Sequence, residues 1–196
     1  MKTLMLVIAV LSIASAAYSG ENTNTKLLLH ATQPITEHSN WQTAGWVVVP
    51  NFTNPTKALV VAGPRYQQAK RWWAEVNLGF LTVEPKESGQ PRDRSFIIDF
   101  RASYDALNPI HFYANIEHVP SKNYWYTYFD VNYRLPLVGL VGLESENDHF
   151  NRNKDNLSIG PRTVIPFKGG AMVLIGSYQF HNRGDDQVWF RTVINF

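Results

Sequence analysis

The sequence predicts an all-β protein: a closed, antiparallel, up-and-down transmembrane β-barrel of about ten strands, within a range of roughly eight to twelve. Apolar and polar residues alternate with period two through most of the chain, which is typical of strands with one apolar face. The alternating runs are about ten residues long, whereas strands of soluble proteins peak near five or six and tilted membrane-crossing strands need about nine to eleven. The chain also ends inside such a run, with Phe196 as its last residue.

The N-terminal residues have the order of a secretory signal peptide. A charged start at Lys2 is followed by an apolar run, 4–13, and a run of mostly small residues, 14–17. The apolar run is shorter than the roughly 20 residues that a membrane-spanning helix needs. We therefore expect cleavage after Ala16, with Ser19 as the second choice, and export of the mature chain.

Composition limits the classes to which the mature chain can belong. Removing 16 residues from 196 leaves 180, which is enough for one domain with a substantial interior. The chain has no cysteine, so no disulfide stabilises it, and its formal net charge of +2 is too small to indicate a nucleic-acid partner. We divide the sequence into a cleaved signal peptide, 1–16, an N-terminal segment of unassigned structure, 17–40, and the barrel, 41–196.

The expected strands follow one another from Trp41 to the C-terminus. The first six lie at 41–50, 57–66, 71–83, 94–104, 109–119 and 123–135. Four more follow from residue 137 onward, and the last of them is the C-terminal run, 187–196. In 94–104, for example, Ile98 and Phe100 flank Asp99. Because side chains alternate between the two faces of a strand, each run has one apolar face and one polar face.

Connections of two kinds alternate between these strands. Tight turns marked mostly by glycine or proline are expected at 67–70, 106–109, 134–136 and 168–170. Longer or more polar loops are expected at 85–94, 120–123, 145–155 and 181–186. Transmembrane barrels have short turns at one end and longer loops at the other. The apolar run Lys26–Pro34 has no place in this scheme, and we leave open a plug, a periplasmic arm or an additional strand.

Taken together, the signal peptide, the absence of cysteine, the long alternating strands and the final Phe196 resemble a small Gram-negative outer-membrane β-barrel protein. The resemblance covers the architecture from end to end but identifies no activity. It implies location in the outer membrane, contact with outer-membrane lipid, and recognition of the last strand by the barrel-assembly machinery. The residues that would carry this assembly signal are Phe196, Ile194 and Phe190.

By the same alternation, a set of charged residues is expected to face the barrel lumen. These residues are Arg65, Glu75, Asp99, Arg101, Glu117, Asp130, Arg134, Arg162 and Arg191. A barrel of about ten strands is little wider than the eight-stranded size that side chains fill, and an unpaired buried charge is very costly. We therefore expect a polar, packed lumen and a structural or ligand-interacting role, with a small porin for small solutes as the alternative.

The triplet Gly-Pro-Arg occurs twice, at 63–65 and at 160–162. Each copy lies at a comparable place in a strand that leads into a tight turn. The repeat indicates either a shared hairpin layout or a coincidence of a short motif.

Two further classes of function stay open. A membrane enzyme at the outer rim would draw on histidines and carboxylates near the longer loops, namely His118, His149, His181, Glu144, Glu146, Asp148, Asp185 and Asp186. No nucleophile arrangement or metal-ligand spacing is recognisable among them, so we assign no catalytic residue, metal or cofactor. A soluble exported β-barrel would instead turn the apolar faces inward around an apolar ligand.

Overall fold

The computed structural model of the protein describes residues 23–50, 57–69, 71–84, 91–135, 139–149 and 155–196. The expected signal peptide lies outside the described residues. Within these ranges no helix combines the length and the hydropathy needed to cross a membrane. The described chain is almost entirely β-strand, with two single 3-10 turns at Pro120–Lys122 and Lys168–Gly170.

Within the described residues, eleven strands form one closed barrel, not the ten or so expected from the sequence. In chain order they are β1 Thr23–Pro34, β2 Trp41–Pro50, β3 Lys57–Gln68, β4 Trp72–Val83, β5 Asp93–Leu107, β6 Ile110–Val119, β7 Tyr124–Leu135, β8 Gly139–His149, β9 Asn156–Phe167, β10 Met172–His181 and β11 Gln187–Asn195. Each strand pairs with its neighbours in sequence, as an up-and-down barrel requires. The strands range from nine residues in β11 to fifteen in β5.

The additional strand is β1, which contains the unplaced run Lys26–Pro34. It pairs antiparallel with β2 and parallel with β11, with Lys26 opposite Arg191 and His30 opposite Asn195. Consecutive strands reverse direction, so an odd number brings the first and last strands side by side in the same direction. The expectation of a wholly antiparallel barrel is therefore wrong at this one pair.

The two ends of the barrel differ in their connections, as expected. The short-turn end carries the connections 35–40, 69–71, 108–109, 136–138 and 168–171, and the long-loop end carries 51–56, 84–92, 120–123, 150–155 and 182–186. β1 begins at the long-loop end, whereas β11 ends at the short-turn end. The expected loop 145–155 is shorter than predicted, because β8 continues to His149.

Polar side chains fill much of the lumen and apolar side chains cover the outside. In β5, Asp99 and Arg101 are 0% and 1% exposed, whereas their neighbours Ile98 and Phe100 are each 39% exposed. The outward residues form an outer apolar band whose members include Val60, Val76, Leu78, Phe80, Phe96, Ile98, Phe100, Phe112, Phe129, Val131, Leu143, Leu157, Ile159, Ile165 and Phe180. The soluble alternative requires the opposite arrangement.

Aromatic residues line part of the short-turn end of this band. The aromatic girdle consists of Trp41, Tyr66, Trp72, Tyr104 and Tyr133, which lie on outward positions of five strands. The Tyr66 ring contacts both Trp41 and Trp72, with ring centroids 5.1 Å and 5.3 Å apart. Rings with one apolar and one polar end suit the boundary between an apolar and an aqueous layer.

Part of the lumen is apolar. A cluster of buried side chains from β2, β3, β5 and β6 lies toward the long-loop end and comprises Trp46, Val48, Leu59, Val61, Ile97 and Val119. Leu28 of β1 and Val193 of β11 pack against it. β1 and β11, the two strands that close the barrel, are therefore held by apolar contacts in the lumen as well as by backbone hydrogen bonds to their neighbouring strands.

The two Gly-Pro-Arg triplets occupy equivalent places in the barrel. A Cβ on Gly63 would lie 1.9 Å from Val76 O, and a Cβ on Gly160 would lie 1.7 Å from Tyr178 O. Real Cβ atoms do not approach so closely, so both positions require glycine. Two residues later, the arginine of each triplet points into the lumen. The two triplets therefore have the same local arrangement, with a close approach of the next strand at the glycine and an inward arginine.

We predict that Gly160→Ala destabilises the barrel by about 1–3 kcal/mol, because the new methyl group must displace the β10 backbone. Gly176→Ala is the matched control in the adjacent strand, since a Cβ there meets only Phe190 Cε1 at 3.9 Å. Urea unfolding in detergent measures both. Equal stability of the two variants would show that β9 and β10 do not approach as described.

Candidate functional site

The lumen holds two clusters of paired charges. The first, the β4–β5 cluster, is built around Glu75 and Asp99. Arg65 Nη1 donates to Glu75 Oε1 at 3.0 Å, and Trp46 Nε1 donates to Glu75 Oε2 at 2.7 Å. Arg101 donates to Asp99 from Nε at 2.9 Å and from Nη2 at 3.0 Å. Two nitrogens of one planar guanidinium thus hold one carboxylate, which is the strongest geometry for such a pair.

Amide and aromatic groups join the members of the β4–β5 cluster. Asn77 Nδ2 donates to Asp99 Oδ1 at 2.9 Å and lies 3.2 Å from Glu75 Oε2. The Arg101 guanidinium lies 4.3 Å from the centre of the Trp46 ring, and this ring also stacks on His30 with ring centroids 3.9 Å apart. Cations over aromatic faces gain stabilisation when both groups leave water. These contacts connect the charges to the apolar part of the lumen.

The second, the β8–β11 cluster, is built around two carboxylates of β8. Arg191 Nη1 donates to Glu144 Oε1 at 2.7 Å, and its Nη2 donates to Glu146 Oε2 at 2.6 Å. Lys26 Nζ donates to Glu146 Oε1 at 2.7 Å. Arg162 pairs with Asp130 and lies 3.5 Å from Glu144. Three cations therefore face three carboxylates, and the charges of the cluster balance.

Several of these contacts cross the lumen between strands that are not neighbours. Lys26 of β1 reaches Glu146 of β8, and Arg191 of β11 reaches the same strand. Gln179 of β10 also reaches Glu144 Oε1, at 2.6 Å, and Tyr128 OH of the neighbouring strand β7 donates to Glu144 Oε2 at 2.8 Å. These side chains thus connect distant strands across the lumen, and the interior is packed and polar.

Of the nine charged residues expected in the lumen, all but Arg134 belong to these clusters or contact them. Glu117 lies at the edge of the β4–β5 cluster, 3.6 Å from Arg101 Nη2. Arg134 has an inward position but lies at the short-turn rim, with a side chain that is 60% exposed and 3.4 Å from Asp105. A place near the rim lets its head group reach water, so it stands apart from the buried clusters.

Sequence reasoning missed three central members of the β8–β11 cluster. Lys26 lay in the unplaced run, and Glu144 and Glu146 were counted among candidates at the outer rim. The structure buries Glu144 to 1% exposure in the middle of β8. From Leu143 to Asn147, uncharged residues alternate with the charged residues Glu144 and Glu146, and this period-two signal could have extended the strand.

The remaining candidates from the outer rim do not form one site. His118 stacks on Trp125 with ring centroids 4.0 Å apart, while Asp148 accepts a hydrogen bond from Tyr124. His181 points inward and contacts Asn156 at 3.1 Å. Asp186 accepts from Tyr178 at 3.2 Å, and Asp185 is exposed. Among the described residues, no three His, Asp or Glu side chains are grouped closely enough to hold a metal ion.

Comparisons with known proteins add no assignment. The chain matches no protein-family model, no curated protein and no solved structure. Any functional conclusion therefore rests on the geometry of the barrel.

We predict that Arg162→Ala destabilises the barrel by about 3–5 kcal/mol, because it leaves Asp130 and Glu144 buried with less compensating charge. Arg134→Ala, which removes an exposed pair, should change stability by less than about 1 kcal/mol. Urea unfolding monitored by tryptophan fluorescence measures both. If Arg162→Ala lowers the free energy of unfolding no more than Arg134→Ala does, the result would contradict the packed lumen.

Proposed function

We propose that the protein is an integral outer-membrane β-barrel with a packed polar lumen and a structural role. The observation that carries this proposal is the outer apolar band. Its side chains include Leu78, 54% exposed, and Ile159, 56% exposed. Soluble monomers rarely expose a contiguous apolar surface larger than a few hundred Å². A band that continues around most of a barrel is instead suited to contact with lipid chains.

Three further features support a bilayer as the surrounding medium. The sheet is closed, so no strand edge leaves backbone N–H and C=O groups without partners, which is the condition for β-structure in lipid. Every strand has at least nine residues, enough to cross the hydrocarbon layer when tilted. The aromatic girdle borders the apolar band, as interfacial aromatic residues do in membrane proteins.

The orientation follows from the two ends of the barrel. Short turns face the periplasm in outer-membrane barrels, so we place the short-turn end there and the long-loop end outside. β11 then ends at the periplasmic side, and β1 begins at the outer side. The odd number of strands departs from the even number of bacterial single-chain barrels. The first strand consequently enters the barrel from the face opposite to the C-terminus.

The contacts in the lumen favour a barrel with a blocked lumen over a small porin. Conduction requires a continuous aqueous path lined by polar groups, whereas Lys26 and Arg191 extend across the lumen to Glu144 and Glu146. Moving these side chains aside would separate buried opposite charges, which is energetically costly. The same arrangement disfavours an apolar ligand in this part of the lumen.

Assembly follows from the same proposal. Outer-membrane lipid is the surrounding partner, and the barrel-assembly machinery would recognise the last strand through its outward residues Phe190, Ile194 and Phe196. Phe196 is 76% exposed, and its backbone N–H donates to His30 O at 2.9 Å. The terminal ring is therefore presented on the outside at the short-turn end, where it is accessible to another protein before insertion.

We predict that the protein fractionates with outer membranes and migrates at different apparent sizes on a gel with and without boiling, because a closed hydrogen-bonded barrel resists detergent until it is heated. After reconstitution into planar bilayers, it should show no steady conductance, because paired side chains cross the lumen.

Release of a soluble monomer by osmotic shock without detergent would overturn the membrane assignment. A steady open channel with a defined ion preference would overturn the packed-lumen assignment and favour the small porin.

A further inference from the structure

A short polar network interrupts the outer apolar band near the long-loop end. Tyr126 and Tyr128 point into the lumen, so Thr127 between them points outward. On β8, Asn147 and His149 share the outward face, with Thr127 opposite Asn147. Polar side chains on a lipid-facing surface are unfavourable unless they pair or serve a purpose.

The geometry of this network is that of an activated hydroxyl. Thr127 Oγ1 lies 3.2 Å from His149 Nε2, and His149 Nδ1 lies 3.5 Å from Asp155 Oδ2. Hydroxyl, imidazole and carboxylate thus stand in series, with the two imidazole nitrogens serving different partners. A carboxylate near Nδ1 favours the tautomer with the proton on Nδ1, in which Nε2 can accept the hydroxyl proton. Asn147 Nδ2, 3.3 Å from Thr127 Oγ1, places a neutral donor beside the oxygen.

An apolar groove of about 650 Å³ lies beside this network on the outer face. Its floor includes Ala74, Ala102 and Ala114, which stand opposite one another on β4, β5 and β6. Small side chains there leave a trough between larger neighbours. The volume lies within the range of roughly 300–1,000 Å³ found for small-molecule sites. Because it opens on the outer apolar band, its natural occupant is an acyl chain.

The groove adjoins the hydroxyl through Ser145 and Asn147. Ser145, which lines the groove, lies on β8 two residues before Asn147. Asn147 Nδ2 is 3.0 Å from Ser145 Oγ and 3.3 Å from Thr127 Oγ1. An acyl chain in the groove would therefore bring its carboxyl end to Asn147 and Thr127. His149 and Asp155, with side chains 36% and 48% exposed, stand farther toward the aqueous rim.

From these two observations we propose that the outer face carries an acyl-ester hydrolase site, with Thr127 as nucleophile, His149 as base and Asp155 as its orienting carboxylate. The substrate class is a long-chain acyl ester of a membrane lipid. This assignment rests on the proposed membrane location, because the groove meets lipid only if the outer face does. It is independent of the lumen clusters.

The reaction conserves atoms and charge in two steps. Thr127 Oγ1 forms a bond to the ester carbonyl carbon while its proton passes to His149 Nε2, and the Asn147 amide donates to the oxyanion. The bond from that carbon to the alcohol oxygen then breaks, and the alcohol leaves with the proton from His149. Water, deprotonated by His149, next attacks the acyl-threonine ester, and the bond from the carbonyl carbon to Thr127 Oγ1 breaks. His149 returns the proton to Oγ1, which restores Thr127 as the fatty acid leaves.

The test uses the folded full-length mature protein in detergent micelles with two probes, para-nitrophenyl palmitate and para-nitrophenyl butyrate. We expect kcat/KM for palmitate to exceed that for butyrate at least about tenfold. Thr127→Val and His149→Gln should lower the palmitate rate at least about 100-fold, and Asp155→Asn at least about tenfold. A long-chain alkyl para-nitrophenyl phosphonate should leave a stable adduct on Thr127, detected by mass spectrometry of the labelled peptide.

Two variants serve as matched controls that preserve the network. Thr163→Val removes another outward threonine hydroxyl, on β9, and His118→Gln removes another outward histidine near the same rim. Both should retain the wild-type rate and the adduct on Thr127. Each variant is first checked for the size shift on boiling, so that a loss of rate reports on the site and not on folding.

Hydrolysis that persists in Thr127→Val, equal rates on the two esters, or a properly folded wild-type protein without activity or adduct would each overturn the site. Because the assay runs in micelles, its result is separate from that of membrane fractionation. If the protein inserts in membranes but hydrolyses neither ester, only the proposed hydrolase site is wrong. If the protein is released without detergent, the membrane assignment is wrong whatever the activity.

Discussion

The parallel pairing of β1 with β11 is the interaction on which the rest of the structure depends. It joins the two ends of an eleven-stranded sheet, so that all strands have two neighbours. Without it, β1 and β11 would present open edges, and open edges are not tolerated in lipid. The same pairing places Lys26 beside Arg191 and thereby brings a third cation to the carboxylates of the β8–β11 cluster.

Closure then determines how the two faces are used. Because side chains alternate along each strand, a closed sheet has an inside that receives every second residue and an outside that receives the others. The inside is too narrow for free charges, so acids and bases pair across it. The outside carries the apolar side chains, and polar residues such as Thr127 and His149 lie on it near a rim.

Local alternation was enough to predict much of this architecture. The bounds of β2, Trp41–Pro50, agree with the sequence expectation, and the inward placement of Arg65, Arg162 and Arg191 follows from the same periodicity. These features depend on neighbouring residues alone. The prediction therefore needed no knowledge of how distant strands pair.

The features that the sequence could not predict depend on pairing between distant segments. The sequence gives β1 no place in the barrel because one of its two partners, β11, lies more than 150 residues away in the chain. The run of charges around Glu144 and Glu146 is typical of a loop at the rim, and contacts with distant residues such as Lys26 and Arg191 make the burial of these carboxylates favourable. Thr127 and His149 meet because of the register between β7 and β8.

The central claim is that the outer face meets lipid while the inner face does not, and Trp72 and Trp73 test it directly. Trp72 belongs to the outward girdle, whereas the Trp73 ring faces the lumen, 4.1 Å from the Arg65 guanidinium. In vesicles containing lipids brominated near the head group, tryptophan quenching reports contact with lipid. The account predicts that Trp72→Phe lowers the quenched fraction of the fluorescence and that Trp73→Phe raises it. Equal changes for the two variants, or no quenching of the wild-type protein, would contradict it.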